Sequence, residues 1–399
     1  MAHTLIARQP ILDARLRVFA YEILYREPGS PDRAPRETAD AASFSVLVDL
    51  FTSVDLERFL GGHRAFFNLT RTALLRLAEH PVGVGRLVVE VLESVPADEE
   101  VQTAIRHLRR EGLEVALDDF HLGGGHRDLV PLADYIKVDI RALDPGELAE
   151  HVQALREAPA WLVAEKVETR EEWERCSELG FALFQGYFFA RPETTRHHRI
   201  PTNRAQVLRL VARLQDPQVG LEELAELVSQ DAALSYRLLR LINSAYAPAG
   251  EKVGTIQGAA ALLGVEGLRA WSTWLALALL DDTPGELRVV TLARARMCAM
   301  LAPEVGMAEE QGFLVGLLST LDALMDTSMD RALAPLPLVG AVREALVHRA
   351  GPGGRLLEAA EAHERGDWAL LERRGWDPER LAQAYVAATA WAEELKATV

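Results

Sequence analysis

Leu113-Glu114-Val115-Ala116-Leu117-Asp118-Asp119-Phe120, followed after one loop by Tyr135-Ile136-Lys137-Val138-Asp139-Ile140, decides how the first half of this chain is read. Each run is an apolar strand that gathers charge towards its end. Residues two apart on a strand share a face, so Lys137 and Asp139 point one way while Ile136 and Val138 point the other. The same grammar recurs on either side. Glu22 lies in Tyr21-Glu22-Ile23-Leu24-Tyr25-Arg26, Asn68 ends Phe66-Phe67-Asn68, and Glu90 falls in Val88-Val89-Glu90-Val91-Leu92-Glu93. Glu165 follows Leu162-Val163-Ala164, and Gln185 interrupts Leu183-Phe184.

Strands are expected at Leu5–Leu12, Val18–Leu24, Arg64–Leu69, Arg86–Leu92, Leu113–Phe120, Tyr135–Ile140, Trp161–Val167 and Ala182–Phe189. Helices are expected between them at Thr38–Phe59, Asp98–Arg110, Pro145–Glu157 and Arg170–Leu179, with Gly112 and Gly180 placed as helix stops. Strands alternating with helices of this length imply a parallel sheet, and eight of them suggest closure into a (β/α)8 TIM-like barrel. The first two strands are separated by only a few polar residues and form a hairpin, so the barrel has an antiparallel first strand. From about residue 203 the strand pattern gives way to helical periodicity, as in Leu208, Leu210, Val211 and Leu214. The fold class is therefore α/β plus all-α: a barrel over residues 1–192, a linker over 193–203 that carries Arg196-His197-His198-Arg199, and a helical domain over 204–399.

In such a barrel the C-terminal strand ends converge on one face, where active sites of the fold sit. Several convergent carboxylates repel one another unless a cation compensates them. All-oxygen ligation favours Mg²⁺, Mn²⁺ or Ca²⁺ over Zn²⁺. The net charge of −16 opposes non-specific nucleic-acid binding but leaves room for a small anionic ligand. Arg8, Asp13 and Arg15 interrupt the only N-terminal apolar stretch, and the apolar run Trp271–Leu280 is far shorter than the ~20 residues of a membrane span. Cys176 and Cys298 lie far apart and make no redox or metal spacing. A cytoplasmic, membrane-free protein is expected.

Six motifs in order resemble one family. Glu22-Ile23-Leu24 with Arg26 is similar to the E-A-L-x-R signature of EAL domains, and Arg8-Gln9-Pro10-Ile11 resembles their Q-P-I opening. Phe67-Asn68-Leu69, Asp118-Asp119-Phe120, Ala164-Glu165-Lys166-Val167-Glu168-Thr169 and Gln185-Gly186-Tyr187 continue the likeness. The resemblance implies metal-assisted hydrolysis of cyclic di-GMP, a Mg²⁺ or Mn²⁺ cofactor, and a set of roles. Glu22, Asn68, Glu90, Asp118 and Asp119 would hold metal. Lys137 and Glu165 would be catalytic, and Arg26, Gln185, Asp139 and Glu168 would line the ligand side.

Two departures weigh against catalysis. His121-Leu122-Gly123-Gly124-Gly125 stands where the family has G-T-G-Y-S, and the spacing from Asp119 to Lys137 is short for the family. Lys166 stands where A-E-G-V-E-T has glycine. As the strand neighbour of Glu165, Lys166 is expected to point away from the pocket into an outer-layer ion pair, with the alternative that so long a cation folds over the rim and competes with a metal. The family's barrels often dimerise through the altered loop, which leaves a homodimer open.

In the second half, Asp231-Ala232-Ala233-Leu234-Ser235 and Leu238-Leu239-Arg240-Leu241-Ile242-Asn243-Ser244-Ala245 resemble the HDOD domain, over about residues 203–282. Relatives of that domain hydrolyse phosphoesters with a His-Asp metal site. This chain has no His-Asp dipeptide, and only His348 and His363 follow the linker, so no metal is expected in the helical domain. Trp271 and Trp274 read as helix-packing residues. The overall expectation is a signal-transduction adaptor or receptor, with an EAL-like barrel inactive in catalysis but open to cyclic di-GMP or metal. The helical domain would dock other signalling proteins. The competing expectation is an active metal-dependent cyclic di-GMP phosphodiesterase regulated by that domain.

Overall fold

A computed structural model of the 399-residue chain describes residues 5–26, 56–79, 86–190, 202–245, 253–278, 280 and 284–396. Eight strands close into a barrel in chain order: β1 Leu5–Asp13, β2 Val18–Arg26, β3 Arg64–Leu69, β4 Leu87–Val91, β5 Glu114–Leu117, β6 Tyr135–Asp139, β7 Trp161–Glu165 and β8 Leu183–Gln185. β1 is antiparallel to both β2 and β8, and every other pairing is parallel. The expected hairpin and reversed first strand are both present.

Three strands stop earlier than their apolar runs suggest, and backbone geometry explains each. Asp119 (φ 41°) and Lys166 (φ 58°) take left-handed conformations just past β5 and β7, and Gly186 (φ 148°) ends β8. A left-handed residue cannot continue a ladder. The helices between the strands follow their caps. Asp98 accepts from Val101 N at 2.9 Å to start Glu99–Arg110, and capping boxes open Pro145–Leu155 and Arg170–Leu179. Gly180, with φ 107°, stops the last of these. Of the helix expected over Thr38–Phe59, only residues 56–59 belong to the described residues, within the helix Leu56–Leu60, and of the expected linker only Thr202 and Asn203 do, where they open the helix Thr202–Leu214.

The barrel interior is layered. Ile11, Ala20, Phe66, Val88, Ala116, Tyr135, Val163 and Leu183, one from each strand or its end, form a dry core cluster. Two residues further towards the mouth on each parallel strand, and two residues back on the reversed β1, the same inward face carries Gln9, Glu22, Asn68, Glu90, Asp118, Lys137, Glu165 and Gln185. The period of two thus stacks a complete polar layer on a complete apolar one.

The described residues group into two compact units, Met1–Phe189 with His363–Ala382 and Ala190–Ala362 with Gln383–Val399. The segment 363–382 therefore groups with the barrel, whereas the sequence reading assigned it to the helical domain. The second unit is helical. Its helix Ile256–Leu277 is broken at Gly264 (φ 68°, ψ 179°). Trp271 and Trp274 are buried, and Trp271 stacks its ring 5.3 Å from Phe313 and 5.5 Å from Trp391. Asn243 ties the end of its helix to a later segment, donating to Val253 O (2.8 Å) and accepting from Val253 N (2.8 Å). Ser244's side chain and Tyr246 lie outside the described residues. Among the described residues, no helix is long and apolar enough to cross a membrane.

Gly186 is the tightest backbone approach in the barrel: a Cβ built there would stand 1.9 Å from the Val167 carbonyl oxygen. Gly186→Ala is therefore expected to destabilise the protein by about 2–4 kcal/mol, read as a lowered midpoint in thermal unfolding.

Candidate active site

The polar layer is organised by one buried cation. Lys137, on β6, is 1% exposed, and its Nζ lies 3.1 Å from Glu22, 3.2 Å from Asp118 and 2.8 Å from Glu165, with Glu90 also in contact. These carboxylates come from β2, β4, β7 and the end of β5, so one ammonium ties four strands together. Around it, Asn68 donates to Glu22 Oε1 at 2.9 Å. Gln185 donates from Nε2 to Glu22 Oε2 (2.6 Å) and to Gln9 Oε1 (3.0 Å).

One ammonium does not balance four carboxylates, and the titration of the cluster shows it. Burial opposes the charge on Lys137, but Glu165, Glu22, Glu90 and Asp118 outweigh it and hold the ammonium well above its ordinary range. Glu90, wholly buried, is pushed well up by desolvation and by Glu22. Burial pushes Glu165 from 4.5 up to about 7 against the pull of Lys137. Asp118 also feels burial, yet Lys137 and a hydrogen bond with Glu90 hold it low.

The oxygens fit a hard divalent cation. Glu22, Glu90 and Glu165 offer carboxylate oxygens all within 4.8 Å of one another, and Asp118, Asp119 and Glu165 offer a second such group. Inside this layer, Glu90 Oε2, Glu165 Oε2, Asn68 Oδ1 and Gln185 Oε1 are buried acceptors with no hydrogen-bond partner. Orphaned buried acceptors are costly. Four facing one cluster of acids is the arrangement a Mg²⁺ or Mn²⁺ ion would satisfy. Glu22, Asn68, Glu90, Asp118 and Glu165 would hold it.

Both halves of the chain match known families. Residues 38–192 match the EAL domain and residues 200–333 match the HDOD domain. The chain is 32% identical over 405 residues to the cyclic di-GMP phosphodiesterase CdgJ of Vibrio cholerae, covering 99% of this chain and 94% of the relative. The chain belongs to the EAL–HDOD family. YuxH of Bacillus subtilis is 28% identical over 98% of both chains. A solved calcium and cyclic di-GMP complex of Klebsiella pneumoniae BlrP1 is 24% identical, covering 47% of this chain and 55% of that one, with a TM-score of 0.37. The EAL match starts downstream of Glu22-Ile23-Leu24, although that segment forms β2, and the HDOD match runs well past residue 282, where the resemblance was expected to fade.

Other expected site residues fall at the rim of this EAL barrel. Asp139 accepts from Lys166 Nζ at 2.5 Å and from Arg141 N at 2.8 Å. Asp119 lies 3.9 Å from the same Lys166. Glu168 pairs with Arg141 at 3.2 Å. Arg26 closes β2, and its side chain lies outside the described residues. Lys166 takes the rim position rather than the outer-layer one. It stands after the last residue of β7 in a left-handed backbone, so strand alternation no longer aims it outward, and its ammonium reaches the acidic rim. The altered loop is anchored: Leu122 N donates to His151 Nε2 at 3.0 Å, and the His126 ring meets Val95 O at 2.7 Å.

Two contributors escaped the sequence reading. Gln9 was quoted only as part of a motif, although its i, i+2 relation to the core residue Ile11 places it in the polar layer. Arg141, whose Nε donates to Lys166 O at 3.1 Å, had no motif to announce it.

In the HDOD unit, Ser319 and Thr320 are buried polar residues held by hydrogen bonds. There Arg294 donates to Ser319 Oγ at 3.0 Å, and Thr320 shares a 2.7 Å hydrogen bond with Thr291.

The pH response of the cluster follows from Glu165. Its carboxyl titrates higher in the folded protein (about 7) than its ordinary 4.5, so the folded state binds the extra proton within that window. Without divalent cation, stability is expected to fall as pH rises through the window, by at most about 1.4 kcal/mol per pH unit. Glu165→Gln should flatten that slope, as measured by thermal melts in EDTA across the window.

Proposed function

We propose that this chain is a cytoplasmic signal-transduction adaptor and receptor, whose barrel binds cyclic di-GMP together with a divalent cation and whose HDOD unit docks other signalling proteins. The carrying observation is the polar layer itself: five residues with oxygen ligands, from five strands or strand ends, lie in one cluster, and four of its residues hold buried acceptors without a hydrogen-bond partner. The ligand class rests on the CdgJ relative, which is named for cyclic di-GMP. A bound divalent cation supplies charge compensation for phosphate oxygens and acidifies water at neutral pH. Lys137 keeps the carboxylates fixed at the mouth, and Gln185 with Gln9 orients Glu22. The HDOD region has no His-Asp dipeptide and only His348 and His363 in its sequence, which suits docking better than imidazole-based metal hydrolysis.

A second reading is active phosphodiester hydrolysis. It is favoured by the completeness of the set, since Glu22, Asn68, Glu90, Asp118, Lys137 and Glu165 are all present and all in one cluster. Calorimetric titration of cyclic di-GMP with and without Mg²⁺ or Mn²⁺, with chromatography of the same samples for linear dinucleotide, separates the two. The receptor reading expects cation-dependent binding and no linear product. Product formed at a cation-dependent rate would replace it with the phosphodiesterase, and absence of binding would remove both.

The cation itself is tested by melting. Mn²⁺ at a hundredfold excess over its dissociation constant is expected to stabilise the natural protein by about 2.7 kcal/mol. Glu22→Ala and Asp118→Ala should each abolish that gain. An unchanged Mn²⁺ response in both variants would rule out the site.

A further inference from the structure

The barrel mouth offers two overlapping groups of carboxylates that share Glu165, and each already has a lysine ammonium beside it; Lys137 in the first faces four carboxylates alone, so that group keeps an excess of negative charge. The Glu22, Glu90 and Glu165 group contains orphaned acceptor oxygens on Glu90 and Glu165, both more than nine-tenths buried. The Asp118, Asp119 and Glu165 group, which Lys137 touches through Asp118 and Glu165, has a second ammonium as neighbour. Lys166 Nζ stands 3.9 Å from Asp119 Oδ1 and 2.5 Å from Asp139 Oδ2, so a side-chain cation already sits on its outer flank.

Three features place that ammonium there. Lys166 has φ 58°, a region where a side chain costs about 1–2 kcal/mol and where the resembling motif carries glycine. Arg141 fixes the backbone by donating from Nε to Lys166 O at 3.1 Å while its own N–H donates to Asp139 Oδ1 at 2.8 Å. Asp139 is thereby aimed at Lys166 from below, and Asp119 meets it from the side. A monovalent cation paired with two carboxylates neutralises charge that a divalent ion would otherwise recruit, and it repels such an ion at close range.

We propose that the Lys166 ammonium, held by Asp119 and Asp139, replaces a second divalent cation in the Asp118, Asp119 and Glu165 group, so that this EAL barrel takes up one divalent cation, in the Glu22, Glu90 and Glu165 group. The inference rests on the cation-binding reading of the barrel and goes beyond it by fixing the number of ions and the residue that limits it. It also supplies a cause for binding without cleavage: paired cations clamp both the attacking and the leaving oxygen of a displacement, and a single ion can hold phosphate without doing so.

The experiment is Mn²⁺ titration of the full chain by calorimetry, with electron paramagnetic resonance of the loaded protein, on the natural sequence, Lys166→Gly and Lys166→Gln. Lys166→Gly relieves the left-handed backbone and removes the charge. Lys166→Gln removes the charge and keeps a side chain on the same backbone. Circular dichroism confirms that all three are folded. The expected result is one Mn²⁺ per natural chain with an isolated-ion spectrum, and two per chain with an exchange-coupled spectrum in both variants. Two ions in the natural chain would overturn the inference and leave the cation-binding reading standing. One ion in both variants would overturn it as well. A second ion in Lys166→Gly alone would assign the limit to the backbone and overturn the role of the ammonium. No Mn²⁺ binding in any of the three would overturn both the inference and the reading beneath it.

Discussion

A single buried ammonium holds the mouth of this barrel together. Lys137 is enclosed by Glu22, Glu90, Asp118 and Glu165, contributed by strands or strand ends distributed around the ring. Without it the four acids could not share so small a volume, since removing one partner of a buried ionic network leaves uncompensated charge that costs several kcal/mol. With it, the acids remain under-compensated, and that residual is what makes the layer receptive to a further cation. The apolar layer below excludes water, which strengthens every charge interaction above it. Structural support and chemical potential thus come from the same charge imbalance.

Much of this was legible in the sequence. Eight apolar runs alternating with capped helical stretches announced the barrel, and the hairpin announced the reversed strand. The site was legible for a related reason. Strand alternation places one polar residue per strand at a fixed height, so Glu22, Glu90, Lys137 and Glu165 could be read as neighbours although they are far apart in the chain. The same rule would have caught Gln9, had it been applied to the motif that contained it.

What escaped the reading lay where alternation ends. Asp119, Lys166 and Gly186 all have positive φ at or just past strand ends, and a period of two says nothing about where a side chain points beyond such a turn. That is why strand alternation by itself aims Lys166 at the outer layer and is silent about Arg141. The grouping of residues 363–382 with the barrel was equally invisible, because helical periodicity shows which face of a helix is apolar but not what will cover it.

The reversed first strand has a consequence for how the chain becomes competent. β1 closes the ring by pairing with β8, through Ile11 with Gln185 and Leu12 with Phe184, and Gln185 reaches back to Gln9 across 176 positions. A ribosome releases Glu22 early, yet the barrel that buries it cannot shut until residue 185 has emerged. Pairings of such long separation are slow to form because loop closure must precede their reward. The opening hairpin therefore waits, one edge unpaired, through the synthesis of every later strand. Chains truncated before β8 would keep each acid in the sequence and still lack the enclosure that turns those acids into a site.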